Sequence, residues 1–228
     1  MLVDRLRIAV LLPLILLASI STAFAQTKEL KRAENAISVL SEIQSSPDSS
    51  IPNKLLDRCY AIAVIPEVVK AGFVVGGRRG KGLVSVRSAD GTWSHPSYIT
   101  MTGGSVGFQA GVQSSDIVLV FRTKRGVDNL INGKFTLGAD ASAAAGPVGR
   151  QASAATDVAL KAEILSYSRS RGLFAGVSLD GSALTIDDKA NERVYGDATT
   201  RMVFEGRVER VPDEIVRFRD QLEEQTAR

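Results

Sequence analysis

The spacing of apolar residues predicts a helix near each end of the chain. Between residues 27 and 44, apolar side chains recur every three or four positions, which is the period of an amphipathic helix with one buried stripe. That stripe consists of Leu30, Ala33, Ile37 and Leu40. A second helix is predicted at 212–225, where Pro212 suits the first turn and Asp213 and Glu214 complement the positive end of the helix dipole.

Between the two helices, short β-rich runs separated by glycine predict strands. The runs are YAIAVI (60–65), GFVVGG (72–77), GLVSVR (82–87), SYITMT (97–102), SVGFQAGV (105–112) and DIVLVF (116–121). Short helices are predicted at 124–132 and 188–196, and a β-hairpin within 162–184. Because long helices do not alternate with the strands, the pattern predicts an α+β fold: a mostly antiparallel sheet or barrel-like core flanked by N- and C-terminal helices.

The first 25 residues have the three-part pattern of a secretory signal peptide. A basic start and the apolar run Ile8–Ile20 precede Ala23 and Ala25, which predict cleavage before Gln26. The apolar run is shorter than the roughly 20 residues that span a bilayer. We therefore predict an exported chain, located in the periplasm or cell envelope. It has one domain at 26–228, with a core at about 30–196 and the last helix at about 212–225.

Composition argues against several classes of function. The formal net charge of +3 is too small to indicate nucleic-acid binding. The single cysteine, Cys59, cannot form an intrachain disulfide and is predicted to be a small buried side chain. The single histidine, His95, cannot build a usual zinc site, and no Gly-x-Ser-x-Gly motif accompanies it. We predict a chain that is not an enzyme and uses no cofactor; a hydrolase based on His95 and a nearby serine is the weakest alternative.

The glycine-rich stretch AGFVVGGRRGKGLV (71–84) resembles a phosphate-binding loop but lacks its spacing. A Walker A loop needs four residues between its two glycines and a Ser or Thr after the lysine. Only three residues separate Gly76 from Gly80, and Gly82 follows the lysine. The next residues predict a strand, whereas a phosphate loop leads into a helix. We therefore predict no nucleotide binding, and interpret the stretch as a β-hairpin whose tip carries Arg78 and Arg79.

Three local clusters of basic residues are the candidate binding sites. Each lies next to a predicted strand and could contact phosphates of an anionic surface, because a basic residue near such a surface contributes on the order of 1 kcal/mol. If the clusters converge in the fold, they form a positive patch despite the small net charge. The clusters are Arg78, Arg79 and Lys81; Lys124 and Arg125; and Arg169 and Arg171.

Several long motifs of this chain resemble the SYLF domain family. They are CYAIAVIPEVVKAGFVVGGRRGKGLVSVR, GTWSHPSYITMTGGSVGFQAGVQSSDIVLVF, KFTLGADASAAAGPVGR, EILSYSRSRGLFAGVSLDGSAL and NERVYG, which together cover most of the chain from about Leu30 to about Gly196. The resemblance implies a module without catalytic activity. In eukaryotic members it implies binding to phosphoinositide-containing membranes, and in yeast members to actin. In those relatives a basic amphipathic helix at the N-terminus of the domain is credited with lipid binding.

The first helix of this chain differs from that pattern because it contains both signs of charge. Mixed charges weaken the attraction of a helix to anionic lipid. The residues concerned are Lys28, Lys31, Arg32, Glu29, Glu34 and Glu42. We therefore expect an exported module that binds anionic membrane lipid peripherally, through its basic hairpin tips. The alternative is a protein-interaction or scaffold module with a protein partner in the cell envelope.

Overall fold

One sheet of nine strands organises the fold, and all its neighbouring strands are antiparallel except β6 and β7. The structure is a computed structural model that describes residues 26–43, 50–72, 75–106, 111–133, 135–149, 161–170 and 173–226. The strands are β1 (Ala61–Gly72), β2 (Val75–Val86), β3 (Ser97–Val106), β4 (Gly111–Phe121), β5 (Phe135–Thr136), β6 (Ala143–Ala145), β7 (Ile164–Ser170), β8 (Leu173–Gly176) and β9 (Ser182–Ile186). Their order in the sheet is β5-β9-β3-β2-β1-β4-β7-β6, and β8 also pairs with β7.

Helices precede and follow the sheet along the chain. They are α1 (26–41), α2 (Asn53–Leu56), α3 (Lys124–Ile131), α4 (Asp188–Tyr195), α5 (Thr200–Phe204) and α6 (Asp213–Thr226). The sheet is strongly curled, so the predicted α+β fold with a barrel-like sheet and terminal helices is confirmed. None of the described helices combines the length and the apolar character needed to cross a bilayer. The predicted signal peptide and Arg171 lie outside the described residues.

Both faces of the sheet are buried along its central part, because successive side chains of a strand point to opposite faces. Ile62 and Val64 of β1 pack in a core that also contains residues of α1, α4 and α6. Ala63 and Ile65 pack in a second core that contains Leu130 of α3. We call these the outer face and the inner face. The near-continuous apolar run at the start of β1 follows from this two-sided burial.

α1 crosses the strands on the outer face. The Tyr98 hydroxyl of β3 donates to Glu29 O near the start of the helix, and Arg169 of β7 pairs with Glu42 just after its end. Three strands separate β3 from β7 in the sheet, so these contacts lie four strand spacings apart, roughly 19 Å. The 13 residues from Glu29 to Glu42 rise about 20 Å in a helix, which matches that width.

The hairpin of β1 and β2 turns earlier than the sequence predicted. β1 continues to Gly72 and β2 begins at Val75, so Arg78 and Arg79 lie within β2, opposite Lys70 and Val69. The prediction of a hairpin tip at Arg78 and Arg79 is therefore wrong. The predicted strand 105–112 is also wrong, because β3 ends at Val106, β4 begins at Gly111, and the two pair with different neighbours.

A β-bulge explains why β1 continues through Pro66. Between Val64 and Val69, β1 contains one more residue than the paired part of β2, and Glu67 has a positive φ of 51°. The Glu67 N–H donates to Asp116 Oδ1 at 2.9 Å, and Arg169 Nε donates to Asp116 Oδ2 at 2.8 Å. Asp116 therefore satisfies the backbone donor that the bulge frees from the strand ladder.

The glycines of β2 allow close approach to β1 and do not form a turn. A Cβ on Gly82 would lie 2.2 Å from Val64 O and 2.7 Å from Ile65 Cα. A Cβ on Gly80 would lie 2.7 Å from the side chains of Ile65 and Val68. The bulged segment of β1 occupies the space that side chains on β2 would need. The glycine pattern is therefore a consequence of strand packing.

We predict that Gly82→Ala lowers the free energy of unfolding by about 3 kcal/mol, because the added methyl group meets backbone atoms that cannot move independently. Gly104→Ala in β3 is the matched control, since nothing lies within 4 Å of a Cβ at Gly104. The control is expected to be neutral or to stabilise by up to about 1 kcal/mol, because glycine is unfavourable inside a strand. Unfolding in urea measures the stability of both variants. Equal stability of the two would contradict the close approach of β2 to β1 at Gly82.

Candidate functional site

Acidic side chains fasten the first helix to the rest of the fold. Three glutamates each pair with an arginine from a different element, namely α4, α6 and β7. The pairs are Glu29–Arg193 at 2.5 Å, Glu34–Arg217 at 3.5 Å and Glu42–Arg169 at 2.5 Å. The negative charges of the helix are therefore matched by arginines of the fold, and its lysines are left to other contacts.

Glu29 is the most buried of these acids. Its side chain is 4% exposed and pairs with both Arg32 and Arg193 at 2.5 Å. The Tyr98 hydroxyl donates to its backbone oxygen at 3.0 Å, and the Arg32 guanidinium lies 5.6 Å from the centre of the Tyr98 ring. Burial raises the pKa of Tyr98 well above its usual value, so this hydroxyl stays a donor. Glu29 thus joins α1 to α4 through its carboxylate and to β3 through its backbone oxygen.

The lysines of α1 are exposed. Lys28 and Lys31 line a cavity of about 270 Å³ together with Lys81 of β2, next to the bulge at Pro66 and Glu67. Their spacing in the helix places them on one face. We call the group formed by Lys28, Lys31, Arg79 and Lys81 the outer basic surface. Arg79 belongs to it because it lies two residues from Lys81, on the same face of β2.

Lys81 is held in place by Asp187, and their side chains meet at 2.6 Å. Asp187 also caps α4 by accepting a hydrogen bond from the Ala190 N–H. Burial acts to raise the pKa of Asp187, but the hydrogen bond and positive charge of Lys81 outweigh it, so the pKa of this carboxyl lies below its usual value. The carboxylate therefore remains charged at neutral pH and fixes the lysine at the edge of the cavity.

Two valines extend the outer face beyond α1. Val69 is 43% exposed and lies opposite Arg79, and Val112 is 74% exposed and lies opposite Ala71. Val69 of β1 and Val112 of β4 are diagonal neighbours near Gly72, and their exposure shows that α1 does not cover them. Exposed apolar side chains thus lie beside the outer basic surface, on the side nearer Gly72.

Arg78 lies on the other face of β2. It pairs with Lys70 in register, and its guanidinium donates to Ser178 O at 3.4 Å. Partial burial lowers the pKa of Arg78, although the charge of Asp180 opposes this effect. Arg78 and Arg79 therefore face opposite ways and do not form one patch.

Lys124 and Arg125 lie far from the basic residues of β2, and Arg169 is occupied by acidic partners. Lys124 and Arg125 follow Phe121, which pairs with Ala61, whereas Arg79 pairs with Val69, roughly 25 Å further along β1. Arg125 pairs with Glu163 at 2.8 Å. Arg169 is bound by Asp116 and Glu42, which together raise its pKa against the effect of burial. The condition for one positive patch is therefore not met by Lys124 and Arg125, and lipid contact at the individual predicted residues stays a prediction.

The sequence analysis missed Lys28 and Lys31 as site residues. Their spacing of three positions on a predicted helix was a usable signal, but the neighbouring glutamates masked it. Only the fold reveals that all three glutamates are paired with arginines more than 120 positions away. The charge of the helix surface therefore differs from the charge of its sequence.

His95, the histidine considered for catalysis, and Cys59 are surrounded by contacts that belong to the fold. Ser94 Oγ donates to the backbone oxygen of His95 at 3.0 Å. Partial burial lowers the pKa of His95, and the charge of Arg219 lowers it further. Cys59 is buried, as predicted, and its burial raises the pKa of the thiol to about 12. Within the described ranges, no group of three or more His, Cys, Asp or Glu residues could hold a metal ion.

We predict that Glu29→Gln lowers the free energy of unfolding by about 2–3 kcal/mol, because it removes the charge that two partly buried arginines share. Glu34→Gln on the same helix is the control, since its pair with Arg217 is exposed and long. Loss of an exposed pair costs at most about 1 kcal/mol. Chemical unfolding compares the two; a larger loss for Glu34→Gln would refute the assignment of Glu29 as the main attachment of α1.

The chain is similar to proteins of one known family. Residues 102–225, more than half of it, match the family model described as "Ysc84: Las17-binding protein actin regulator". LAS seventeen-binding protein 3 of Saccharomyces cerevisiae is 41% identical over 169 residues, which is 72% of this chain and 37% of the yeast protein. SH3 domain-containing YSC84-like protein 1 of Homo sapiens is 38% identical over 170 residues, covering 73% of this chain and 49% of the human protein. The chain thus spans at most about half the length of these relatives.

Proposed function

Since the chain belongs to the Ysc84 family of SYLF-domain proteins, we propose that it is a non-catalytic module that binds the anionic surface of a lipid membrane. The observation that carries this proposal is the outer basic surface. Lys28, Lys31 and Lys81 line one cavity, and Arg79 follows on the same face. We also propose that the chain is exported, with cleavage before Gln26, so that its membrane is one of the cell envelope.

The number and kind of residues on the outer basic surface suit reversible binding to a membrane. Each basic residue near an anionic membrane contributes about 1 kcal/mol, so four of them give moderate, salt-sensitive affinity. Val69 and Val112 are exposed beside these charges and can enter the headgroup region, where buried apolar area adds to the electrostatic attraction. Lys81 contributes less, because Asp187 neutralises part of its charge.

We predict that Lys31→Glu with Arg79→Glu weakens binding to vesicles of mixed neutral and anionic phospholipid at least about 30-fold, because two attractive contacts of about 1 kcal/mol each are lost and reversed. Sedimentation of the purified chain with vesicles at low salt measures the effect. The charge-matched control is Lys54→Glu with Lys161→Glu, two exposed lysines near the other end of the strands.

The control variant is expected to bind as the unchanged chain does, and salt is expected to weaken binding of both. Absence of vesicle binding by the folded, unchanged chain at low salt would refute the proposal. Equal loss of binding in the control would show that the effect depends on total charge and would refute the assignment of this surface.

A protein-binding module is the second candidate. The matching family model and the yeast relative are described as Las17-binding. In this chain, Val69 and Val112 are exposed on a strand surface with Ala71 and Gly77, an apolar area that suits a protein partner. Recovery of one envelope protein at stoichiometric yield, without vesicle binding, would favour this candidate over the first.

A further inference from the structure

A second cavity lies at the end of the sheet away from the outer basic surface. It has a volume of about 820 Å³ and is formed by residues 57–60 just before β1, the end of β2 with the residues after it, α3 and α5. Backbone hydrogen bonds fix its wall: the Tyr60 N–H donates to Phe121 O at 2.7 Å, and the Arg87 N–H donates to Tyr60 O at 2.8 Å. Cavities of 300–1,000 Å³ are the usual size of small-molecule sites.

One wall of this cavity is apolar. The side chains that form it come from four separate segments of the chain, and Tyr60 among them is 46% exposed. They are Tyr60, Val86, Val127, Ile131 and Phe204. An exposed tyrosine beside aliphatic side chains loses contact with water when an apolar chain covers it, which favours binding of such a chain.

The rim of the cavity carries basic charge. Arg58, Lys124 and Arg201 are exposed there, and none of them forms an ion pair with any residue the structure describes. Of the acids around the cavity, Glu205 is bound by Arg207, whereas Arg87 donates to the backbone oxygen of Asp57 and not to its carboxylate.

Asp128 is a further acid of the rim, and it is exposed on α3. Arg58, Lys124 and Arg201 therefore outnumber the two carboxylates, those of Asp57 and Asp128, that form no ion pair with a described residue. This excess of positive charge at the rim favours a negatively charged ligand group, since complementary charges lower the cost of desolvation at a binding site.

We infer that this cavity binds a single-chain anionic amphiphile. The carboxylate or phosphate head contacts Arg58, Lys124 and Arg201, and the apolar chain lies along Tyr60, Val127 and Phe204. The volume accommodates one chain of moderate length. This site is distinct from the outer basic surface. Ala61, beside the cavity, and Val69, opposite Arg79, lie roughly 25 Å apart along β1.

Isothermal titration calorimetry of the purified chain with decanoate, decyl phosphate and the neutral 1-decanol tests the inference. We expect one molecule of decanoate or decyl phosphate to bind per chain, with 1-decanol at least tenfold weaker. Lys124→Glu with Arg201→Glu is expected to weaken binding of the two anions at least tenfold and to leave 1-decanol unchanged. Tyr60→Ser is expected to weaken the binding of all three ligands.

Lys31→Glu with Arg79→Glu is the charge-matched control, and it should bind decanoate as the unchanged chain does. Conversely, Lys124→Glu with Arg201→Glu should still bind vesicles, so failure of this inference and failure of the membrane proposal are distinguishable. Equal affinity for 1-decanol and decanoate, or unchanged decanoate binding in Lys124→Glu with Arg201→Glu, would overturn the inference. Binding of inorganic phosphate as tight as that of decyl phosphate would also overturn it, because the apolar chain would then contribute nothing.

Discussion

The buried carboxylate of Glu29 determines where α1 lies, and most of the surface chemistry depends on that position. A carboxylate that is almost completely removed from water needs close positive partners, and Arg32 and Arg193 supply them. Because Arg193 belongs to α4 and the Glu29 backbone also binds Tyr98 of β3, one residue fixes the helix to two other elements. The helix then spans the sheet to Arg169, and its lysines can only face outwards.

The curled sheet sets the second constraint. Its central strands are covered on both faces, so functional side chains must lie at the ends of the strands or beyond α1. At one end, the bulge at Glu67 and the glycines of β2 let the two strands continue past the helix, which exposes Val69 and Arg79. At the other end, α3 and α5 leave a cavity beside Tyr60. The two proposed sites therefore arise from the same architecture at opposite ends of the strands.

Local patterns in the sequence predict much of this fold. The helical period of α1 and α6 and the β-rich runs of β1 and β4 depend on burial of one face or both, which the sequence records directly. The position of the β1–β2 turn could not be predicted, because Gly80 and Gly82 resemble turn residues until the bulged strand beside them is known. The pairs Glu29–Arg193 and Glu42–Arg169 join distant parts of the chain, so the sequence predicted a mixed-charge helix where the fold separates the charges.

Chemical labelling of lysines with an amine-reactive reagent, read by mass spectrometry with and without anionic vesicles, tests the central claim most directly. Four exposed lysines are compared: Lys28 and Lys31 on the outer basic surface, and Lys54 and Lys161 near the other end of the strands. The account predicts that vesicles protect Lys28 and Lys31 and leave labelling of Lys54 and Lys161 unchanged. Protection of Lys54 and Lys161, or undiminished labelling of Lys28 and Lys31 in vesicle-bound chain, would contradict it.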